Sequence, residues 1–417
     1  MSRKQLSPKS DKTPINSSCA DPSKRSMLKS TLFGLSTVAL TSMIPGQSAL
    51  TKSHSSEKPH HPNDPKRTDL PNQTGEHSHW DEKLYKDILS RINAPVFPNR
   101  HFKILNFGAQ AGHDCTKAIH EAMHQCHKAG GGHVIIPAGT FYCSAIHLKS
   151  NIDLHIEKNA ILKFSTNPRG YPSVLTRFEG TECMNYSPLI YAHGQKNGAV
   201  TGQGTVDGQA ALSNWWAWKD KSKPKPYKQS ADSKKLIEMS NNDMPVKERV
   251  FGDGHFLRPC FIEPHCCENV LVEGITIKNS PMWEVHPTLC KNVTVRNVTI
   301  QSHGPNNDGC NPECCTDVLI EDCKFNTGDD CIAIKSGKNK DSRRVHIPSQ
   351  NIIIRKCHIL DGHGGVVMGS ECSGHIYNVF VKNCEMSSPK LQRALHFKDN
   401  AVRGGHIENV YMRKKHF

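Results

Sequence analysis

The sequence predicts an all-β protein, a right-handed parallel β-helix, and two observations support this. Short alternating segments rich in Val, Ile and Thr recur through the second half of the chain, as expected of strands. They also repeat, because the first two steps between copies are 23 and 25 residues, a period typical of a solenoid. Leucine-rich repeats have similar periods, but their leucine-and-asparagine consensus is missing and no helical periodicity fills the gaps.

Five copies of the repeat share one phase. They begin at Asn269, Asn292, Asp317, Asn351 and Asn378. The seventh positions are Ile275, Val298, Cys323, Cys357 and Cys384, and the ninth positions are Ile277, Ile300, Phe325, Ile359 and Met386. We expect both sets to stack in the core, with the three cysteines as buried thiols that behave as small hydrophobic residues.

The chain has 17 cysteines, which in an exported protein raises the question of disulfides. Five of them lie near expected turns and could pair: Cys266, Cys267, Cys310, Cys314 and Cys315. Paired C-x2-C groups are missing, and adjacent cysteines make poor ligand geometry. The sequence therefore predicts no metal site and no cofactor.

Three acids, Asp308, Asp329 and Asp330, stand beside glycine or asparagine in the segment 302–337. Asp308 and Asp329 are 21 positions apart, close to one coil of the predicted solenoid. Residues one coil apart stack on neighbouring rungs roughly 4.8 Å apart, so we expect the acids to cluster on one outer face. Crowded carboxylates raise the pKa of at least one of them, which allows one to act as a general acid while its neighbours stay ionised.

Basic residues continue the same register. His363 follows roughly one coil after the acids, between two glycines, and His396 and Lys398 follow another coil on. The pattern predicts a row of bases beside the acids.

With these motifs in view, the sequence closely resembles glycoside hydrolase family 28, the polygalacturonases and their pectin-degrading relatives. The family's landmarks are Asn-Thr-Asp, Gly-Asp-Asp, Gly-His-Gly and Arg-Ile-Lys, in that order. Here they read Asn306-Asn307-Asp308, Gly328-Asp329-Asp330, Gly362-His363-Gly364 and His396-Phe397-Lys398. The resemblance extends from about His101 to the last residue and implies a pectin-lyase-like solenoid with an N-terminal capping helix.

The resemblance also implies an activity, the hydrolysis of α-1,4-linked galacturonate with inversion, by an O-glycosyl hydrolase. It makes Asp329 the general acid, with Asp308 and Asp330 activating water from the opposite face. Inversion requires carboxyl groups about 6.5–9.5 Å apart. The resemblance further implies that His363 tunes the acid. It assigns substrate binding to Asn306, His396 and Lys398.

Two departures from the family pattern matter. Asn307 replaces a threonine, which we expect to be harmless because the neighbouring carboxylate does the chemistry. His396 replaces an arginine, and an imidazole does not reproduce a bidentate guanidinium fork. That change keeps rhamnogalacturonan or xylogalacturonan hydrolysis open as an alternative, and also a non-catalytic pectin-binding protein or inactive fragment. A calcium-dependent pectate lyase is disfavoured by the ordered set of four motifs.

Composition points to an acidic partner, since the formal charge is +14 and the isoelectric point is near 9.0. Polygalacturonate carries one carboxylate per sugar and would suit such a surface. The sequence contains no helix-turn-helix, zinc-finger or RNA-binding signature. We therefore expect an acidic polysaccharide as the partner, no nucleic acid, and a monomer.

The chain divides into four predicted parts. Residues 1–26 form a basic disordered leader, and residues 27–48 resemble a signal peptide, which predicts a secreted or periplasmic protein. The apolar run is too short for stable membrane insertion. Residues 49–98 form a polar linker with a short helix near residues 80–92, and residues 99–417 form the β-helix. A sixth copy begins at Asn409 close to the last residue, so we expect the domain to be truncated.

An insertion at residues 209–258 interrupts the repeats and contains Trp215, Trp216 and Trp218. Its aromatic rings could stack on sugars, or the segment could pack on its own aromatics. If it closes one end of the groove, the enzyme would attack chain ends.

Overall fold

The computed structural model describes residues 80–219 and 227–414. The helices are α1 (Glu82–Arg91), α2 (Thr116–Lys128), α3 (Lys228–Asn241) and α4 (Asn339–Val345). The strands are β1 (His101–Lys103), β2 (Gly132–Ile136), β3 (Gly139–Cys143), β4 (Ile146–His147), β5 (Ile152–Ile156), β6 (Ala160–Phe164), β7 (Ser173–Phe178), β8 (Thr181–Tyr186), β9 (Ile190–His193), β10 (Lys196–Gly202), β11 (Thr205–Asp207), β12 (Ile262–His265), β13 (Glu268–Glu273), β14 (Thr276–Lys278), β15 (Lys291–Arg296), β16 (Thr299–Ser302), β17 (Thr316–Glu321), β18 (Lys324–Thr327), β19 (Ile332–Ile334), β20 (Ser349–Arg355), β21 (His358–Asp361), β22 (Val366–Gly369), β23 (Ile376–Lys382), β24 (Leu395–Lys398) and β25 (Ile407–Arg413). The predicted leader, the predicted signal peptide and the linker up to residue 79 lie outside the described residues.

Three stacks of parallel strands build the molecule. The first stack has ten strands in the order β1-β2-β5-β10-β13-β15-β17-β20-β23-β25, and the second has seven, from β3 to β21. The third stack consists of β4-β9-β12 and β19-β22-β24. Single parallel bridges join these two groups across Ile262, Val285, Cys310 and Ile332. The predicted right-handed parallel β-helix is therefore confirmed.

The repeat positions read from the sequence form the core. Ile275, Val298, Cys323 and Cys357 are fully buried at the seventh position, and Cys384 packs against the same cluster while partly buried. At the ninth position Ile277 pairs with Ile300, and Ile300 with Phe325, in successive strands. The core prediction is confirmed because a constant period returns the same side chain to the interior on every coil.

A ladder of side-chain amides explains why the copies begin with Asn or Asp. Asn269 Nδ2 donates to Asn197 Oδ1 at 2.9 Å, and Asn292 Nδ2 donates to Asn269 Oδ1 at 2.7 Å. Asn378 continues the ladder onto Asn351 at 3.0 Å. Each copy turns at this residue with φ between 54° and 59°, a left-handed conformation that Asn and Asp tolerate better than most residues.

The cysteines behave largely as predicted in the core, but not near the turns. Cys323, Cys357 and Cys384 are free thiols, as expected. The suggestion that turn cysteines could pair is wrong for four of the five, because Cys267, Cys310, Cys314 and Cys315 are free. Cys266 is disulfide-bonded. Cys267, Cys310 and Cys315 lie in the main core, where they pack as apolar groups, whereas Cys314 Sγ accepts from Arg177 Nη1 at 3.2 Å.

Helix α2 covers the open end of the first coil, as predicted for a cap. Its buried residues, Ala118, Ile119, Ala122, Met123 and Cys126, belong to the main core. Covering the exposed end of a solenoid protects strand edges and apolar side chains from other chains. Within the described part of the chain, no helix is both long and apolar enough to cross a membrane.

Two segments extend outward from the β-helix on the side of the third stack. Strands β7 and β8 form an antiparallel hairpin, and α3 lies within the predicted insertion. Together they enclose a second apolar cluster that includes Phe178, Leu236, Phe251 and Trp283. This cluster covers the outer face of the third stack, so side chains that would face solvent elsewhere are buried here.

Candidate active site

The three predicted acids line one polar cleft of about 240 Å³ beside the third stack. Asp308, Asp329 and Asp330 share this cleft with Lys335 and Lys398. The predicted acids and one predicted base are thus brought together, although up to 90 residues separate them along the chain.

Strand register produces this arrangement. Cys310 pairs with Ile332, so Asp308 and Asp330 occupy equivalent positions on neighbouring coils, and Gly309 N donates to Asp330 O at 2.9 Å. The stacked pair is therefore Asp308 with Asp330, 22 residues apart, rather than Asp308 with Asp329.

Each acid contacts a different basic group. His363 Nδ1 lies 3.1 Å from Asp329 Oδ1, and Lys398 Nζ lies 2.5 Å from Asp330 Oδ2. Lys335 Nζ lies 3.5 Å from Asp308 Oδ2, which also accepts from Asn311 Nδ2 at 3.0 Å. Because their partners differ, the three carboxyl groups are chemically distinct even though they share one cleft.

The three carboxyl groups also differ in how far their side chains are buried. The side chain of Asp329 is 15 % exposed, whereas those of Asp308 and Asp330 are each 4 % exposed. Burial raises the pKa of Asp308 to about 8, with Lys335 opposing the change and Asp329 and Asp330 adding to it. Oδ1 of Asp330 is buried without a hydrogen-bond partner among the described residues, so it remains able to accept a proton or a hydrogen bond.

Close backbone packing explains two glycines of the motifs. A Cβ on Gly328 would lie 2.7 Å from the carbonyl oxygen of Gly304. A Cβ on Gly364 would lie 2.3 Å from Cγ2 of Val367 and 3.2 Å from Oδ1 of Asp330. Gly328 therefore lets neighbouring coils approach, and Gly364 leaves room for the side chains of Val367 and Asp330.

Asn307 has a structural role. Its Oδ1 accepts from Ser302 Oγ at 2.7 Å and from Gly304 N at 2.6 Å, while its Nδ2 donates to carbonyl oxygens of Ser280 and Met282. It is fully buried. The side chain therefore fixes the loop that carries Asp308.

Asn306 lies in the cleft, and its Oδ1 accepts from Arg258 Nη2 at 2.8 Å. Arg258 is buried at the end of the insertion and donates from Nη1 to the carbonyl oxygens of Pro281 and Pro305 at 2.7 and 2.6 Å. The insertion thus supports the loop that carries the first acid, a contact that the sequence pattern did not predict.

His396 is positioned less favourably than the other predicted residues. It stands two residues before Lys398 on β24, on the same side of the strand. Burial lowers its pKa, with further contributions from Lys398 and Arg393. Near neutral pH its ring is therefore uncharged, and an uncharged ring attracts a substrate carboxylate only weakly.

Sequence reasoning missed several residues of the cleft. Lys335 lies 2.9 Å from Glu371, and its Nζ is 4.6 Å from the centre of the Trp283 ring. Burial lowers the pKa of Lys335, but Glu371, Asp308 and Asp330 outweigh that effect and raise it. The sequence signal for Lys335 was its position six residues after Asp329, whereas Glu371 comes from a loop and follows no motif.

The tip of the β7–β8 hairpin reaches the cleft. Glu179 lines it and pairs with Lys338 at 3.4 Å, and Lys338 N donates to Gly180 O at 3.0 Å. Arg403 lines the same region, with Nε donating to Ser370 O at 2.7 Å. These contacts hold the hairpin tip against Lys338 along the cleft.

The tryptophans of the insertion pack mainly on other aromatics. Trp215 is buried, with its ring centre 4.8 Å from that of Trp218 and 5.7 Å from that of Tyr171. Trp216 Nε1 donates to Ser280 O at 2.8 Å. Of the two interpretations, the contacts favour a segment that packs on its own aromatics over one that stacks on sugar.

The molecule is a parallel β-helix whose cleft brings three carboxyl groups together with lysine side chains, and this arrangement is suited to acid–base hydrolysis of a glycosidic bond. Comparison with known proteins is more specific. Residues 253–413 match the family described as Glycosyl hydrolases family 28. A hyperthermoactive exopolygalacturonase from Thermotoga maritima has a similar structure, with a TM-score of 0.76 and 47% identity, covering 78% of this chain and 75% of that chain. The chain therefore belongs to glycosyl hydrolase family 28.

Curated relatives agree with this assignment. A probable polygalacturonase from Vitis vinifera is 27% identical over 310 residues, covering 72% of this chain and 56% of the relative. An exo-poly-alpha-D-galacturonosidase from Dickeya chrysanthemi is 25% identical over 284 residues, covering 64% of this chain and 47% of the relative. The chain thus spans about half the length of these two relatives.

Proposed function

We propose that this protein hydrolyses α-1,4-galacturonosidic bonds of polygalacturonate by an inverting mechanism. One observation carries the proposal: three carboxyl groups share a cleft, but each contacts a different base. A glycosidase of this type needs one acid to protonate the leaving oxygen and carboxylates that activate water from the other face.

The roles follow from exposure and contacts. Asp329 is the most exposed of the three and reaches the substrate first, so it serves as the general acid, with His363 orienting it at 3.1 Å. Asp308 and Asp330 are both buried and hold the attacking water, with Asp308 protonated below its raised pKa of about 8 and donating a hydrogen bond to that water. The unpaired Oδ1 of Asp330 is suited to accept a proton from that water.

Substrate binding falls to the cations and amide of the cleft. Lys398 contacts a galacturonate carboxylate, and Asn306 contributes a side-chain amide. His396 contributes charge only at acid pH, because its pKa is lowered. The chain's positive charge suits a polyanion, and the sequence contains no nucleic-acid-binding signature, so we propose an acidic polysaccharide as the partner. A secreted or periplasmic monomer would encounter such a polymer.

The deciding experiment measures new reducing ends from polygalacturonate and from rhamnogalacturonan. Wild type should act on polygalacturonate, and Asp329→Asn should lose about 10³-fold in kcat, within the range for removing a general acid. Asp322→Asn is the matched control, since that carboxylate is 41 % exposed in a turn and pairs only loosely with Lys356 at 4.0 Å. It should retain wild-type activity.

Other outcomes would select other functions. Preference for rhamnogalacturonan or a xylose-substituted chain would identify the sister activities, and pectin binding without new reducing ends would identify a binding protein. An unsaturated, ultraviolet-absorbing product that disappears with a chelator would indicate a lyase. Equal activity in Asp329→Asn would remove the assignment of the acid, and a first-formed product with retained anomeric configuration would contradict inversion.

We also propose that attack occurs at chain ends. The observation that supports it is that the tip of the β7–β8 hairpin, where Lys338 N donates to Gly180 O, contributes Glu179 to the lining of the cleft. A groove closed at one side admits a terminus but not the middle of a polymer. Release of only monomer or dimer from the earliest times, with little loss of viscosity, is the expected result. A ladder of short oligomers would contradict it.

A further inference from the structure

A compact set of metal-ligating side chains lies outside the cleft, on the outer face of the third stack. Cys260, Glu263 and His286 are 3%, 0% and 0% exposed. Their sulfur, oxygen and nitrogen atoms all lie within 4.8 Å of one another. None of the three lines the cleft described above. The proposed hydrolysis makes no use of them.

The spacing between the atoms suits a tetrahedral ion. His286 Nδ1 lies 3.6 Å from Cys260 Sγ and 3.1 Å from Glu263 Oε2. With Zn–S of about 2.3 Å and Zn–N or Zn–O of about 2.0 Å, tetrahedral ligands stand about 3.6 Å apart for sulfur and nitrogen and about 3.3 Å for nitrogen and oxygen. A small ion can therefore enter with shifts of only a few tenths of an ångström at His286.

The opposite side of the His286 ring shows a feature typical of metal-bound histidine. Its Nε2 lies 2.9 Å from Glu313 Oε2, and Arg177 Nη1 donates to Glu313 Oε1 at 2.7 Å. A carboxylate that accepts from the far nitrogen fixes the tautomer, so that the near nitrogen presents a lone pair. Here the near nitrogen is Nδ1, which faces Cys260 and Glu263.

A second, independent observation comes from His265. It stands two residues after Glu263 on β12 and therefore on the same side of the strand, and it is 0% exposed. Its Nδ1 lies 3.7 Å from Glu263 Oε1, yet neither ring nitrogen has a hydrogen-bond partner among the described residues. Leaving a buried imidazole unpaired costs free energy, so the polar groups around Glu263 are not fully satisfied by the described residues.

We propose that Cys260, Glu263 and His286 bind one divalent transition-metal ion of the zinc class. Thiolate, imidazole and carboxylate together favour zinc over magnesium or calcium. Binding releases the thiol proton of Cys260 to solvent. We assign the ion a structural role because its ligands are buried. Cys260 packs with Phe178 of β7 and Leu236 of α3, so these elements cover the site.

Motif spacing could not have found this site. Glu263 and His286 are 23 residues apart, one full coil, and meet only because the chain winds back over itself. The competing explanation is a metal-free ion network in which a protonated His286 lies between Glu263 and Glu313. That network would leave Cys260 as a thiol and His265 unpaired, and it is one of the outcomes of the test below.

The test uses the full chain, purified without chelator and analysed for metal, and then reloaded with Co²⁺. We expect about one zinc per chain, and a sulfur-to-cobalt charge-transfer band in the near ultraviolet. Removing the metal with a chelator should lower Tm by about 3–5 °C. X-ray absorption of the wild-type zinc protein should show one sulfur and otherwise nitrogen or oxygen neighbours, a result that does not depend on any variant folding.

Variants assign the ligands. Cys260→Ser should abolish the cobalt band and the effect of the chelator on Tm, and Glu263→Gln should weaken both. Cys314→Ser is the matched control, because Cys314 is a buried free thiol that contacts Arg177 at 3.2 Å but does not belong to the cluster. It should behave as wild type.

Three results would overturn the proposal. One is a wild-type chain that holds no zinc and shows no cobalt band. Another is zinc bound without a sulfur neighbour. The third is unchanged zinc content in Cys260→Ser and Glu263→Gln, which would assign the metal to the histidine-rich residues 49–79. None of these readouts depends on polygalacturonate hydrolysis, so failure here is distinguishable from failure of the proposed function.

Discussion

Lys335 Nζ lies 3.5 Å from Asp308 Oδ2 and links the first acid to Glu371, which it contacts at 2.9 Å. The ammonium is almost fully buried and is the nearest cation to Asp308. It therefore compensates the buried negative charge of Glu371, and that of Asp308 once the pH exceeds the raised pKa of about 8.

Replacing Lys335 with Met should lower the free energy of unfolding by about 3–5 kcal/mol, because the buried, ionised carboxylate of Glu371 loses the partner that lies 2.9 Å away. Denaturant unfolding monitored by fluorescence measures the change. Lys356→Met is the control, since Lys356 is 58 % exposed at 4.0 Å from Asp322, and it should change the unfolding free energy by less than about 0.5 kcal/mol. Similar losses in the two variants would contradict the role given to Lys335.

The raised pKa of Asp308 predicts a pH dependence of stability. The folded protein holds this proton up to about pH 8, whereas an unfolded aspartate releases it near pH 3.8. A group whose pKa is raised on folding contributes stability below its unfolded value and loses it as pH rises towards the folded value. The unfolding free energy of wild type, relative to Asp308→Asn, should therefore fall between about pH 4 and pH 8. An equal slope in both proteins would show that Asp308 is not the group responsible.

His396→Arg should strengthen substrate binding. A guanidinium pairs with a carboxylate through two parallel hydrogen bonds, whereas the imidazole at this position has a lowered pKa and is neutral near pH 7. We expect KM for polygalacturonate to fall by about tenfold, the equivalent of one charge-assisted hydrogen bond. The value of kcat should change little.

The control for this variant is His358→Arg, at a histidine that is 48 % exposed on β21 and pairs with Glu385. It adds the same charge to the chain and should leave KM unchanged. Equal decreases in KM for both variants would attribute the effect to overall charge and would separate position 396 from the substrate.

Arg258→Met tests the support that the insertion gives to the active-site loop. The substitution leaves the carbonyl oxygens of Pro281 and Pro305 and the amide oxygen of Asn306 without their donor. We expect a loss of about 2–4 kcal/mol of stability, together with a decrease in kcat because the loop that carries Asp308 loses its position. Arg355→Met removes an arginine that is 25 % exposed and pairs with Glu321 on the first stack. It should lower stability by at most about 1 kcal/mol and leave kcat unchanged.

The sequence repeat predicts the buried core positions more accurately than it predicts which active-site residues are neighbours. Cys323 and Phe325 were predicted to be buried because one period holds throughout the copies, and both are fully buried. The same period predicted that the acids would share a face, although the stacked pair is Asp308 with Asp330. The prediction was wrong by one residue, because the length of each coil varies at its turns and the spacing in the sequence gives only an average length.

The amino-acid sequence by itself determined the coil, its interior and the identity of the acids, because each depends on a local pattern repeated at a fixed interval. Only the tertiary structure decided which groups meet across coils: Lys335 with Asp308, Arg258 with Asn306, and Cys260 with His286. These contacts join loops and strands whose separation along the chain follows no fixed rule. The physical reason is that segments such as the β7–β8 hairpin bury one outer face of the coil. Buried polar side chains must then find hydrogen-bond or ion-pair partners, and those partners come from other parts of the chain.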